Sequence, residues 1–448
     1  MLPLLTKLHA MRLRTLLLGA ALATGIQANA QWVADSVITG PGYTNDGFYS
    51  LKNGNVSATA NTNWHIGFQI TPQGPNGNAS IFANHVMGKV SVYSLHLQAS
   101  THFTTLSASD TVGKTSASMS LLNSDTTWNR GAFNQLNNPS DPFDFGWGEY
   151  NLTTHDLNGD SLFLLKVDTA VYKFWVQSYH SAPSDSIRWT FRIAKFNGSN
   201  DTTVVVPRHA GGYDFTSRLF AYYNVTSKTI LDREPGRYNW DLLFTRYMDT
   251  ASQGPVFLTQ PVAGVFSNFG VSVAEVHNID PDTANYQNYA RGNKLNEIGY
   301  DWKHFDQGTN TWTIDNTTYF IKTTNTGEYY VLQFTGFGGS ATGKYVFRKK
   351  YLAPTSIKNV NAAVSAWSIS PNPAQATANV MIDAAVRAEN AKMIITDLTG
   401  KTVQQYSFAV QKGLNGYTLN TASLPAGMYL VLITDGNWKL TDKLLVQH

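Results

Sequence analysis

Apolar and polar residues alternate along most of this chain. Lys89-Val90-Ser91-Val92-Tyr93-Ser94-Leu95-His96-Leu97 sets the pattern, and Tyr172–Val176 and Trp189–Ile193 repeat it. Successive side chains on a strand point to opposite faces, so alternation predicts β-strands with one face in a core and the other in water. Turn signals separate the runs, among them Lys52-Asn53-Gly54, Leu157-Asn158-Gly159-Asp160 and Phe196-Asn197-Gly198. Sustained helical periodicity is nearly absent. The predicted class is all-β: two related antiparallel β modules followed by a small immunoglobulin-like β-sandwich.

The two modules are predicted from an internal duplication. Lys166 and Lys322, Trp189 and Tyr345, Phe191 and Phe347, and Arg192 and Arg348 stand at one shared offset, 156 residues. Upstream, Asn63-Trp64-His65-Ile66-Gly67-Phe68 matches Asn239-Trp240-Asp241-Leu242-Leu243-Phe244, and Gly146-Trp147 matches Gly299-Tyr300. The order of matches is the same in both halves. Module A is placed at 31–207 and module B at 208–353. A linker of small and polar residues, 354–366, follows. Residues 367–448 then read as a compact unit, with strands at Val380–Ile382, Met393–Ile395, Gly416–Leu419 and Met428–Ile433. Asp397-Leu398-Thr399-Gly400-Lys401 is its hairpin turn.

The N-terminus reads as a secretory signal peptide, residues 1–30. Lys7, Arg12 and Arg14 supply positive charge, Leu16–Ile26 is apolar, and Ala28-Asn29-Ala30 offers small residues where a signal peptidase cuts, before Gln31. Translation from Met11 would leave a complete signal. The apolar run is too short for an anchor, and no stretch of ~20 apolar residues follows, so no transmembrane segment is expected in the mature chain. Charged residues make up 14% of the chain, against about 25% in typical globular proteins. Net charge is +3 with no cluster of Lys or Arg, which argues against nucleic acid. With no cysteine, stability rests on core burial, and thiolate chemistry and zinc–cysteine sites are excluded.

Two family resemblances enter here. Ser370-Pro371-Asn372-Pro373, Asp397 and Gly400 in the hairpin turn, Gly427 and Tyr429 in Leu424-Pro425-Ala426-Gly427-Met428-Tyr429, and Lys443 in Lys443-Leu444-Leu445-Val446 resemble the type A C-terminal sorting domain of type IX secretion. The signal peptide implies Sec export to the periplasm, and the resemblance implies handling by the type IX machinery, passage through the outer membrane, removal of the domain, and release or attachment to outer-membrane lipopolysaccharide. Arg237-Tyr238-Asn239-Trp240-Asp241-Leu242-Leu243-Phe244-Thr245-Arg246-Tyr247, preceded by Phe220-Ala221-Tyr222-Tyr223, resembles the HmuY family, all-β haem-binding proteins of bacterial surfaces. Members often carry His where Thr245 stands, and module A has His65 in place of Asp241.

Catalytic signatures are missing: no Gly-x-Ser-x-Gly elbow, His-Glu-x-x-His helix or phosphate loop is present. No catalytic residue is assigned and the expected protein is not an enzyme. Haem is the named candidate cofactor, because its iron takes axial His or Met donors in an apolar cleft. The candidate ligands are His65, at the motif position, and His277 and His304 in module B. Trp64 and Trp240 are expected to be core anchors and Glu234-Pro235-Gly236 a turn. Recurrent Asp-Thr pairs, such as Asp110-Thr111 and Asp249-Thr250, resemble a bacterial O-glycosylation signal or simply form turns. The reading is an exported surface or secreted binding protein. A carbohydrate-binding protein or adhesin is the alternative, and an unfamiliar hydrolase the third class.

Overall fold

A computed structural model describes residues 31–70, 79–181, 187–253, 256–324, 326–352 and 363–447. The expected signal peptide and most of the expected linker lie outside the described residues. The chain divides into two compact units, 1–353 and 354–448.

Among the described residues, eighteen strands form the framework that the two sandwiches share, and two further strands, Gly148–Tyr150 and Asp156–Gly159, extend the larger sheet of the first. The first nine are β1 (Val33–Ile38), β2 (Asn45–Ser50), β3 (Gly54–Ala60), β4 (Ile66–Gln69), β5 (Ile81–Ala83), β6 (Val90–Gln98), β7 (Ser161–Val167), β8 (Ala170–His180) and β9 (Arg188–Lys195). The second nine are β10 (Thr202–Pro207), β11 (Phe220–Asn224), β12 (Thr229–Leu231), β13 (Leu242–Gln253), β14 (Val256–Ser267), β15 (Ser272–His277), β16 (Thr317–Lys322), β17 (Tyr329–Phe337) and β18 (Lys344–Leu352). One sandwich pairs the sheet β12-β11-β4-β5 with β10-β9-β8-β7-β6; the other pairs β3-β2-β13-β14 with β1-β18-β17-β16-β15. Adding nine to a strand number in the first set therefore gives its counterpart in the second.

The registers agree residue by residue. Trp189 opposes Tyr179 and Tyr345 opposes Phe337, and each pair lies beside a break in register, at Val176/Ser178 and Phe334/Gly336. Tyr223 opposes Ile66 as Tyr49 opposes Leu242. The cores repeat as well. Phe68 stacks on Phe191 with centroids 5.1 Å apart, and Phe244 on Phe347 at 5.8 Å. Gly146 and Gly299 both take positive φ, 80° and 57°. The core indole of the second sandwich, however, is not Tyr300 but Trp302, which packs on Tyr345 as Trp147 packs on Trp189.

The boundary expected at 207/208 does not follow the sheets. Strands β1 to β3 leave the rest of their repeat and complete the second sandwich, while β10 to β12 complete the first. The five residues between β3 and β4, Asn61–His65, lead straight from one sandwich into the other. The exchange puts the two four-stranded sheets back to back. Strand alternation then splits β13: Leu242 and Phe244 enter the core of its own sandwich, whereas Leu243 and Tyr247 enter the seam between the sandwiches. Phe48, Phe82, Phe220, Tyr222, Trp240 and Phe266 fill that seam.

The second unit is a seven-stranded sandwich: β19 (Val364–Ser370), β20 (Thr377–Ala384), β21 (Ala388–Thr396), β22 (Thr402–Val410), β23 (Gly413–Asn420), β24 (Gly427–Thr434) and β25 (Lys439–Val446). Its sheets run β19-β20-β23 and β22-β21-β24-β25. Val364 is buried in its core, so the sandwich takes in the end of the expected linker. The motif residues build its turns and joints. Asn372, between Pro371 and Pro373, donates to the Lys443 carbonyl at 2.7 Å and accepts from the Leu445 amide at 2.9 Å. Asp397 Oδ1 accepts from the amides of Thr399 and Lys401 at 2.9 and 3.1 Å, and Gly400 completes the turn at φ 86°. The Tyr429 hydroxyl donates to the Pro425 carbonyl at 2.8 Å, and Gly427 opens β24.

The exchange makes a prediction about fragments. Residues 208–353 alone lack β1 to β3 and with them the core side chains Val37, Tyr49 and Leu51. That fragment should show no cooperative urea transition. Val33 pairs with Lys349, so the ends of β18 and β1 are neighbours. A permuted fragment, 236–353 joined by a short linker to 31–60, should recover a cooperative transition; cooperative folding of 208–353 by itself would contradict the exchange.

Candidate functional site

The seam holds a network of buried polar groups. Arg233, just past β12, and Asp46, on β2, form an ion pair at 2.7 Å with both side chains 3% exposed. The Asp46 carboxylate also accepts from Asn61 Nδ2 at 2.7 Å and from the Thr245 hydroxyl at 2.5 Å. Arg233 Nη2 donates further to the Ala60 carbonyl at 3.0 Å, and its guanidinium lies 5.5 Å from the ring of Trp64 and 5.0 Å from that of Tyr222. Burial is the largest influence and works against its charge, yet the groups around it, Asp46 first, together outweigh it and raise its pKa. The register puts Phe220 in the first sandwich where Asp46 stands in the second, so this network occupies one side of the pseudo-symmetric seam.

Glu234, expected only as part of a turn, is a buried acceptor. It receives the amides of Leu219 and Phe220, the latter at 2.8 Å, and the Tyr222 hydroxyl at 2.9 Å. Burial raises its pKa to about 7, against those hydrogen bonds and Arg233, which favour the charged form. An adjacent Arg and Glu before a turn, in a chain poor in charge, was the sequence signal for this centre.

Beside the network lies a cavity of about 80 Å³, walled by Trp64, Phe82, Trp128, Phe220, Tyr222 and Phe266. Trp128 comes from the loop 121–130, which crosses the seam: its Nε1 donates to the Ser267 carbonyl at 3.0 Å, and the Leu295 amide donates to the Thr126 carbonyl at 2.9 Å. Asn123, Ser124, Asp125 and Met248 are shared with a polar hollow of about 440 Å³, which Arg130, Gln135, Asp249 and Thr250 also line. Asp249 has its pKa raised to about 6, by burial first and by the neighbouring Asp125 carboxylate second. The two matching tryptophans have different duties. Trp240 is buried in the seam, 5.1 Å from Phe48. Trp64 is half-buried, lines the cavity and donates to Asn61 Oδ1 at 2.8 Å.

The structure does not bring the candidate haem ligands together. His65 is buried, and its Nδ1 accepts from the Val225 amide at 2.9 Å, which fixes a neutral ring whose pKa burial lowers. Asp241, its counterpart in the second repeat, accepts from the Leu51 amide at 2.7 Å in the same way. His65 and Asp241 are therefore two solutions to one backbone requirement. His277 and His304 have side chains 63% exposed and lie beside Glu275 and Asp315. His85 lines the cavity, but Nδ1 donates to the Val90 carbonyl at 2.8 Å and Nε2 accepts from the Asn123 amide at 3.2 Å. One thioether, Met248, in a space of about 80 Å³ does not make a haem pocket, since cofactor sites typically offer roughly 300 Å³ or more. The residues present do not fit haem. Among the described residues, no three His, Asp or Glu side chains converge on a metal site.

Comparison with known proteins locates one family. Residues 368–447 match the secretion system C-terminal sorting domain; the match does not extend into residues 31–353. No curated protein matches the chain. Among solved structures, dimeric latent PorU from Porphyromonas gingivalis is similar over 65% of this chain and 31% of that chain, at 11% identity and a TM-score of 0.17. This chain thus spans under a third of that protein's length. The sorting domain marks the chain for type IX secretion, to the cell surface or the medium. Among the described residues no helix is long and apolar enough to cross a membrane.

Two predictions follow from these environments. His65→Ala should cost roughly 1–3 kcal/mol in urea unfolding, because it strands the buried Val225 amide. His65→Asn, which restores an acceptor, should recover most of the loss; equal losses for both would refute the capping role. Glu234 has a folded pKa of about 7 against an ordinary 4.5. The native state therefore holds the extra proton, and stability that is full below pH ~4.5 is lost as pH rises through ~7, by about 3 kcal/mol. Glu234→Gln cannot titrate, so its stability relative to wild type should grow from pH 5 to pH 8. A pH-independent difference would show that the carboxyl is not protonated in the native state.

Proposed function

We propose that this chain is a non-enzymatic binding protein, delivered by type IX secretion to the cell surface or medium, and that the seam of its duplicated body binds a saccharide. The sorting sandwich is removed during delivery, and the body is released or attached to lipopolysaccharide, as the sequence resemblance implies. The observation that carries the saccharide reading is the junction at Asn123, Ser124, Asp125 and Met248. There a polar hollow meets an aromatic-walled cavity. Sugar rings combine an apolar face, which packs on aromatic rings, with hydroxyls, which carboxylates, amides and guanidinium groups hydrogen-bond. Arg130, Gln135, Asp125 and Asp249 supply those polar partners. Haem is set aside because its axial donors are committed elsewhere or exposed.

The test is a glycan array probed with residues 31–448, followed by titration of the best hit. Arg130 is exposed and Gln135 half-buried, both on the wall of the hollow. The double variant Arg130→Ala, Gln135→Ala should bind at least about tenfold more weakly, a loss of ~1.4 kcal/mol, with unchanged unfolding. No glycan bound, or a variant that binds as wild type does, would end the saccharide reading. Cleavage of the bound glycan would instead favour the hydrolase.

A further inference from the structure

The cavity and the hollow at the seam differ in what they can hold. A dry cavity of about 150 Å³ takes benzene. By proportion, the aromatic-walled cavity of about 80 Å³ holds roughly three non-hydrogen atoms, too few for a sugar ring. The hollow of about 440 Å³ has room for one, since binding pockets typically begin near ~300 Å³. The two spaces share Asn123, Ser124, Asp125 and Met248. A ring seated in the hollow therefore reaches the cavity only with a small substituent.

The polar groups in the cavity wall decide which substituent. Most are committed. Trp64 Nε1 donates to Asn61 Oδ1 at 2.8 Å and Trp128 Nε1 to the Ser267 carbonyl at 3.0 Å. Asn84 Nδ2 donates to the Asn61 carbonyl at 2.7 Å, the Tyr222 hydroxyl to Glu234 at 2.9 Å, and the Thr245 hydroxyl to Asp46 at 2.5 Å. Arg233 is the exception. Its side chain is 3% exposed, its bonds to Asp46, Thr59 and Ala60 all leave from Nη2, and its Nε has no partner among the described residues. Arg246 also has an unpartnered Nε, but its guanidinium lies 5.3 Å from the ring of Tyr43, which does not line the cavity. Buried donors are nearly always paired, so the free N–H of Arg233 calls for an acceptor on whatever fills the cavity.

The substituent thus needs an apolar end, for Trp64, Phe82, Trp128 and Phe220, and an acceptor oxygen, for Arg233. An acetyl group supplies both: a methyl, a carbonyl carbon and a carbonyl oxygen, within the count the volume allows. We infer that the seam selects N-acetylated sugars, with the ring in the polar hollow and the acetyl group in the aromatic cavity, its carbonyl oxygen accepting from Arg233. The amide N–H then falls at the junction, where Asp125 offers a carboxylate. Asp46 has a use here beyond packing: it holds the guanidinium in place and charged, and a charged donor makes the stronger hydrogen bond. The inference rests on the saccharide reading and narrows it.

Saturation-transfer NMR on residues 31–448 tests it with matched pairs: N-acetylglucosamine against glucose, N-acetylgalactosamine against galactose, and N-acetylmannosamine against mannose. In at least one pair the acetylated sugar should bind at least about tenfold more tightly, the combined effect of a buried methyl and a hydrogen bond. Its methyl should receive the strongest saturation, and an N-benzoyl analogue, too large for the cavity, should lose the gain. Val86 is half-buried in the cavity wall. Val86→Phe should fill the cavity and abolish the preference while the parent sugar still binds. Arg233→Met should weaken binding of the acetylated sugar alone; Val86→Phe keeps the test open if losing the buried ion pair unfolds the chain. Equal binding within every pair would overturn the inference and leave the saccharide reading standing, and no sugar bound would end both. A preference that survives Val86→Phe in a folded protein would remove the acetyl group from the cavity.

Discussion

The exchange of three strands between the repeats is the constraint from which the rest of the first unit follows. Had β1 to β3 folded back onto β4, each repeat would be a closed sandwich and the two would meet through whatever surface chance provided. Instead, Asn61–His65 carries the chain across, and each four-stranded sheet is assembled from both repeats. The outward faces of these sheets must then be apolar, since they are buried against each other. That is why Leu243 and Tyr247 on β13, and Phe220 and Tyr222 on β11, are large residues on what would otherwise be solvent-facing positions. A seam built this way is covalently crossed twice and lined by every segment that crosses it.

Within that seam, duplication explains the scaffold and divergence explains the chemistry. Where the backbone needs an acceptor, the repeats use His65 and Asp241 interchangeably. Where the seam holds its ion pair, they differ: Asp46 in one repeat, Phe220 in the other. A buried pair such as Arg233–Asp46 adds little net stability over an apolar replacement, because both charges lose their water, although removing one partner is severe. Its presence beside a cavity, with Asn61, Thr245 and Glu234 drawn in, sets this side of the seam apart as the one that departs from packing alone. The pair's neighbours, Trp64 and Tyr222, also wall the cavity, so the polar network orients the surface a ligand would meet.

The sorting sandwich follows a different logic. Its motif residues do not gather into a site; they form turns and edges. Asn372 clips its segment to β25, Asp397 and Gly400 shape one hairpin, and Tyr429 closes the approach to β24. Lys443, the motif's cation, is exposed on β25. A shape held by such local hydrogen bonds needs no disulfide, in keeping with a chain that has no cysteine to offer.

Alternation alone determined the all-β class, because the side-chain period of a strand is written in consecutive residues. The C-terminal motif was legible for the same reason: the turn at Asp397–Lys401 depends on neighbours in sequence. The constant offset between Phe191 and Phe347 was legible too, and both residues stack on their own partners, Phe68 and Phe244. What the sequence did not reveal was which sandwich a strand joins. Pairing between β1 and β18 spans the whole unit, and no local pattern distinguishes closing on one's own repeat from closing on the other. The site was hidden by the same distance. Asp46 and Arg233 are unremarkable in their own segments and gain meaning only when the exchange brings them together. His65, conspicuous in sequence because it replaced an aspartate in a motif, proved to satisfy a backbone amide at Val225, a need that only the folded pairing of β4 with β11 creates.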